Sequence, residues 1–199
     1  MGKRKPELTV GAFIIRRDGK MLLVKSPKWG GRYSIPGGHV EYGETIAKAV
    51  AREAYEEVSL RVKPLSLFMI QEVINPSEFF ERDRHFIFFD VLCAALSDNV
   101  QVDGKEIVDY VWVYPREASK LPLERYTRRL VSEYIRICRK TAKRNRPAAT
   151  ILALKRFPQN FTPKLEFDVC LNSRMRSRSF KRNATSRIRQ SHKAQNSLP

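Results

Sequence analysis

Apolar residues in this chain come first in short β-type runs and then at helical spacing. Residues 8–15 (LTVGAFII) and 21–25 (MLLVK) read as two strands, and the Asp18-Gly19 step between them is a hairpin signal. Residues 65–74 (LSLFMIQEVI), 85–96 (HFIFFDVLCAAL) and 107–114 (IVDYVWVY) are three further β-rich runs, each bounded by Pro, Asn, Asp or Gly. Between the second and third runs the period changes. From about residue 43 to residue 58, Ile46, Val50 and Ala54 fall within one sector roughly 80° wide on a helix. Residues 123–139 place Tyr126, Leu130, Tyr134, Ile137 and Cys138 three or four apart, which predicts a second helix. Strands interrupted by two helices predict an α/β sandwich with a mixed sheet between the helices.

The first helix carries an anomaly. Glu53 and Glu57 lie at the edge of its apolar stripe and Glu56 just beside it, while Lys48 and Tyr55 occupy the opposite, polar-tolerant side. Carboxylates three and four residues apart repel one another, more strongly where water is scarce. A hard divalent cation answers that repulsion, since Mg²⁺ is shared between a few carboxylates and substrate phosphates, with Mn²⁺ as a substitute. Ahead of the helix, Pro36-Gly37-Gly38 reads as a backbone-permissive loop that approaches a phosphate closely, so Gly37 and Gly38 are candidate binding residues. Loop, helix and metal together read as a site for a diphosphate. A merely solvated charge patch is the competing view, and the glutamates' place on the apolar side argues against it.

The segment from Gly38 to Leu60, GHVEYGETIAKAVAREAYEEVSL, resembles the signature of the Nudix pyrophosphohydrolases, G-x5-E-x7-R-E-U-x-E-E-x-G-U, where U is bulky and apolar. Gly38, Glu44, Arg52, Glu53, Glu56, Glu57 and Leu60 match in register; Ala54 is small where U is expected, and Ser59 replaces the last glycine. The resemblance implies the Nudix α/β/α sandwich over residues of about 7 to 139. It further implies that Glu53, Glu56 and Glu57 bind the metal, that Arg52 orients a glutamate and that Glu44 supports the site. The implied reaction is attack of water on phosphorus in a nucleoside diphosphate linked to another group. Which carboxylate is the general base stays open. Many members add an acidic residue from a loop before a Trp-bearing strand; Glu106, ahead of Trp112, is chosen over Asp103 and Asp109.

Substrate choice is thinly encoded. Trp29, Tyr33, Phe79, Phe80 and Phe86 are candidates to stack a base, and Arg32, Arg82, Arg84 and His85 to bind phosphate or sugar. Pro76 has a spacing that resembles the ADP-ribose-hydrolysing branch, whereas the short N-terminus looks equally like nucleoside-triphosphate and nucleotide-sugar hydrolases. The expected activity is therefore hydrolysis of a nucleoside-diphosphate-X with X open. Two alternatives stand beside it: an RNA 5′-phosphate pyrophosphohydrolase and a non-catalytic nucleotide-sensing domain.

Charge divides the chain of 199 residues in two. Residues 1–138 hold 22 Lys and Arg against 19 Asp and Glu, whereas residues 139–199 hold 16 against 2. The expected division is a hydrolase domain over 1–140 and a basic, low-order extension over 141–199, interrupted by Pro147, Pro158 and Pro163. That extension reads as a nucleic-acid arm, or, with more weight, as a solubilising tail or an aberrant C-terminus. Cys93, Cys138 and Cys170 are scattered without metal spacing, which fits a reducing compartment. Asp90 interrupts the longest apolar stretch, so no membrane span is expected and the cytoplasm is the default location. The oligomeric state stays open.

Overall fold

Residues 9–15 are buried without interruption, which a strand achieves only where both faces of its sheet are covered. The computed structural model describes residues 5–76, 83–102 and 104–143. Its elements run β1 (Glu7–Ile15), β2 (Met21–Lys25), a 3-10 turn (Pro27–Trp29), β3 (Tyr33–Ser34), β4 (Gly37–His39), α1 (Ile46–Val58), β5 (Val62–Ile74), β6 (His85–Ala95), β7 (Asp109–Val113), α2 (Pro115–Ala118) and α3 (Arg125–Lys143). The strands form one mixed sheet in the order β3-β2-β1-β6-β5, with β4 added to β1 and β7 to β2. Strands β1 and β6 are parallel in continuous register from Glu7 opposite Phe86 to Ile15 opposite Ala94. On its other edge β1 meets β4 near its start and β2 at the hairpin end.

Side-chain alternation sends each strand's residues to two cores. Val10, Ala12 and Ile14 of β1, with Leu22 and Val24 of β2, pack toward Ala49, Val50, Ala54 and Val58 of α1. Phe13 and Ile15, with Met21 and Leu23, pack toward Leu130, Val131 and Tyr134 of α3. The predicted α/β/α sandwich is the observed fold. Ala54, small where the signature calls for a bulky residue, is wholly buried against the sheet. Among the described residues no helix is long and apolar enough to cross a membrane.

The structure corrects the sequence expectations at several points. Residues 37–39 form strand β4 rather than an open loop, because three pairings to β1 (Thr9–His39, Val10–Gly38, Gly11–Gly37) satisfy the backbone there. Helix α1 begins only at Ile46, where the Thr45 hydroxyl accepts the Lys48 amide at 3.3 Å. Helix α3 begins at Arg125, not 123, since buried Glu124 caps it by accepting the amides of Tyr126 and Thr127, and it runs on to Lys143. The basic extension beyond residue 143, with Phe79, Phe80, Arg82 and Asp103, lies outside the described residues.

Ser59 ends α1 in the left-handed region (φ 54°), its amide bonding back to the carbonyls of Ala54 and Tyr55. A side chain there pays a steric cost that glycine does not. Ser59→Gly is expected to stabilise the fold by about 0.5–1 kcal/mol, read as a higher midpoint in thermal or urea unfolding with the same cooperativity.

Candidate active site

Arg52 organises the carboxylates of the signature segment. Its guanidinium donates to Glu44 at 2.7 and 3.3 Å, to Glu53 at 2.9 Å, to Glu56 at 3.0 Å and to the His39 carbonyl at 2.9 Å. Glu44 in turn accepts the Glu41 amide at 2.8 Å, which ties the loop before α1 to the helix. The Glu44 hydrogen bonds to Arg52 hold that carboxyl below its ordinary range, and the same contacts raise the guanidinium further above its own.

Glu53 and Glu57 take a different position from Glu56. The Glu56 side chain is 57% exposed, whereas Glu53 is 12% exposed and faces β4. Gly38 lies directly above it, and a Cβ there would displace the Glu53 carboxylate; a Cβ at Gly37 would run into the backbone carbonyl of Val10, which cannot give way. The glycines thus let β4 lie close over α1, and the Gly37 amide donates to Glu57 at 3.0 Å. Burial pushes the Glu57 carboxyl up to about 7, with the charges of Glu53 and Glu106 adding to it and the Gly37 bond and Lys28 opposing. Burial raises Glu53 as well, against the pull of Arg52.

The remaining sequence candidates divide. Glu106 is brought to the site: it pairs with Lys28 at 2.6 Å, and both charges act on Glu57. Asp109 is turned to the Tyr33 hydroxyl at 3.3 Å. Among the described residues no three His, Cys, Asp or Glu side chains converge as a metal site, because Glu53 and Glu56 turn oxygens onto Arg52. The donor set nonetheless fits a hard cation. Glu44, Glu53 and Glu56 crowd around one guanidinium, and half-buried Glu57 has the Gly37 amide and the charge of Lys28 to offset its own.

Beside these carboxylates opens a cleft of about 390 Å³, lined by Gly37, Gly38, His39, Lys28 and Glu57 at the carboxylate side. Trp29, Phe86 and Arg84, foreseen as substrate contacts, also line it; Tyr33, Arg32 and His85 are not among its lining residues. Arg84 lies over the Phe86 ring at 5.1 Å and pairs with Glu7 at 2.6 Å; Glu7 also meets His39 at 2.8 Å. His85 is engaged by Glu72 at 3.0 Å instead. The far part of the cleft holds residues that sequence reasoning missed: Gln71, Phe88, Asp90, Glu124 and Tyr126. The signal for Asp90 was available, as a charge in the middle of the longest apolar run.

The α/β/α sandwich thus carries an arginine-gathered carboxylate helix under a glycine strand, open to a nucleotide-sized cleft. The NUDIX domain model matches residues 5–134, so the chain belongs to the Nudix family, hydrolases acting on pyrophosphate bonds. The NAD-capped RNA hydrolase NudC of Edwardsiella ictaluri is 32% identical over 127 residues, covering 63% of this chain and 46% of that protein. A MutT-like protein of Streptomyces ambofaciens is 28% identical over 124 residues, 62% of this chain and 74% of that one. The chain thus spans about half the length of the NudC relatives it matches. Among solved structures, a MutT NUDIX hydrolase from Burkholderia pseudomallei superposes with a TM-score of 0.57 at 26% identity, over 65% of this chain and 98% of that one.

Asp90 gives the site a pH signature. Burial pushes its carboxyl up to about 7, helped by the charge of Glu124 and opposed by the Gln71 hydrogen bond. An unfolded chain ionises the same group near 4, so between these values the folded state holds a proton that the unfolded state lacks. Stability therefore falls as pH rises through this window. Thermal unfolding in chelator is expected to give a lower midpoint at pH 8 than at pH 5.5, with a shallower slope in Asp90→Asn.

Proposed function

We propose that the chain hydrolyses, with Mg²⁺ or Mn²⁺, the pyrophosphate linkage of a nucleoside diphosphate joined to another moiety, by water attack at phosphorus. The observation that carries this reading is the half-buried Glu57, its carboxyl raised by burial and by the charge of Glu53, at the edge of a cleft able to hold a nucleotide. Residues 1–140 would form the hydrolase domain, with the basic 141–199 as an extension.

Glu53, Glu56 and Glu57 would hold the cation, with Glu106 as a fourth contributor. When bound, it would neutralise charge developing on phosphate oxygens and make a bound water a better nucleophile. Arg52 positions Glu53 and Glu56 through its guanidinium, and Glu44 fixes Arg52. Gly37 and Gly38 keep β4 close enough that backbone rather than side chain faces the phosphates. Lys28, at the same end of the cleft, supplies a positive charge for them.

A second reading directs the same chemistry to the 5′ end of RNA. It is favoured by relatives named as NAD-capped RNA hydrolases and by the charge of the extension, since Lys and Arg on phosphates give salt-sensitive affinity.

The test is a panel of nucleoside triphosphates, ADP-ribose, nucleotide sugars, dinucleotides and NAD-capped RNA, each with Mg²⁺ and with chelator. Metal-dependent release of a nucleoside monophosphate is expected. Glu56→Gln and Glu57→Gln are each expected to lower turnover by about two orders of magnitude or more while the circular dichroism spectrum is unchanged. Near-wild-type turnover in either variant would remove it from the metal set. Capped RNA turned over preferentially at low salt, with the preference lost on deleting 144–199, would decide for the RNA reading.

A further inference from the structure

On β5 and β6, across β1 from the β4 glycines, two buried polar side chains stand on an apolar background. Gln71 and Asp90 are each 3% exposed and both line the cleft. The Gln71 amide nitrogen donates to Asp90 Oδ2 at 2.7 Å and to the Tyr126 carbonyl at 3.4 Å. Both partners are acceptors, so the amide is held one way round, with its oxygen directed elsewhere. That oxygen is buried and no donor among the described residues reaches it. The other Asp90 oxygen lies over Gly11, where any side chain would displace it. A buried acceptor left unpaired in a cleft wall is a costly arrangement unless something else supplies the donor.

Along the same cleft runs a file of aromatic rings. Phe86 and Phe88 are stacked with centroids 5.7 Å apart, Phe88 and Tyr126 also lie 5.7 Å apart, and Trp29 meets Tyr126 edge-on at 6.3 Å. Aromatic walls with a few fixed polar groups at one end form the kind of site that takes a flat heteroaromatic ring and reads its edge.

We infer that Gln71 and Asp90 form a base-reading floor, which selects a nucleobase carrying an exocyclic amino group over one with a carbonyl in its place. An amino group donates to the Gln71 oxygen and leaves the Gln71–Asp90 bond intact. A carbonyl at that point sets oxygen against oxygen and leaves two buried acceptors unpaired. The carboxyl of Asp90 can meet a ring nitrogen beside the amino group in either sense, accepting when ionised and donating when protonated. This inference deepens the hydrolase reading and rests on the cleft being its nucleotide site.

Binding of matched monophosphates separates the two. Calorimetry on the full chain in chelator would compare CMP with UMP, AMP with IMP, and GMP with XMP. The amino-bearing member of at least one pair is expected to bind about tenfold tighter or more, and Gln71→Met is expected to bring that ratio close to one. Equal affinity within about twofold in every pair, absence of binding by all six, or an unchanged ratio in Gln71→Met would overturn the inference. Should Gln71→Met not fold, the wild-type ratios and Asp90→Asn decide. If the preference holds in binding but no substrate of the panel is hydrolysed, the hydrolase reading fails and the base floor stands; hydrolysis without preference has the opposite meaning.

Discussion

One helix edge carries more negative charge than its surroundings neutralise, and the local architecture follows from that constraint. Glu44, Glu53 and Glu56 share the single guanidinium of Arg52, and Glu57 is half-buried at the cleft with the Gly37 amide as its direct donor. Separating these groups into water would relieve the repulsion, yet the fold keeps them together. Val50, Ala54 and Val58 bind the same helix to the sheet, so the carboxylates cannot leave without exposing that core. Glycine in β4 suits this arrangement, because a side chain at Gly38 would displace the Glu53 carboxylate and one at Gly37 would meet the Val10 carbonyl.

The second organising feature is the continuity of the cleft. Strand β1 stands at its centre, with Gly11 paired to Gly37 of β4 on one side and to Asp90 of β6 on the other, and parallel β6 brings Phe86, Phe88 and Asp90 along the same surface. The N-terminus of α3 closes it through Tyr126 and Thr127, whose amides Glu124 caps. A carboxylate end suited to diphosphate chemistry and an aromatic end suited to a base therefore sit on one rigid sheet. Rigid elements hold a functional group more exactly than loops do.

Much of this was legible in the residues alone, and for definite reasons. Strands β1, β2, β5 and β6 declared themselves through unbroken β-type runs, and α1 through Ile46, Val50 and Ala54 at helical spacing. The Arg52-Glu53-x-x-Glu56-Glu57 cluster was readable because it is local: one helix supplies both the charges and their spacing. Strand β4 was hidden, since Gly37-Gly38 has no β propensity and becomes a strand through pairing to β1. The base end was hidden for a related reason. Gln71, Asp90 and Tyr126 are far apart in sequence and meet through sheet register and helix docking, which no local pattern specifies. Asp90 was visible as an interruption of an apolar run, but its partner was not.

The central claim is that Glu57 is held half-buried at the cleft to meet a divalent cation. Thermal unfolding of wild type and Glu57→Gln at pH 8, with chelator and with millimolar Mg²⁺, tests it most directly. In chelator the variant should be the more stable, because it removes a carboxylate whose ionisation the interior disfavours. Mg²⁺ should raise the wild-type midpoint by about 3 °C or more and leave the variant unmoved. Equal Mg²⁺ responses in the two proteins, or none in wild type, would contradict the account.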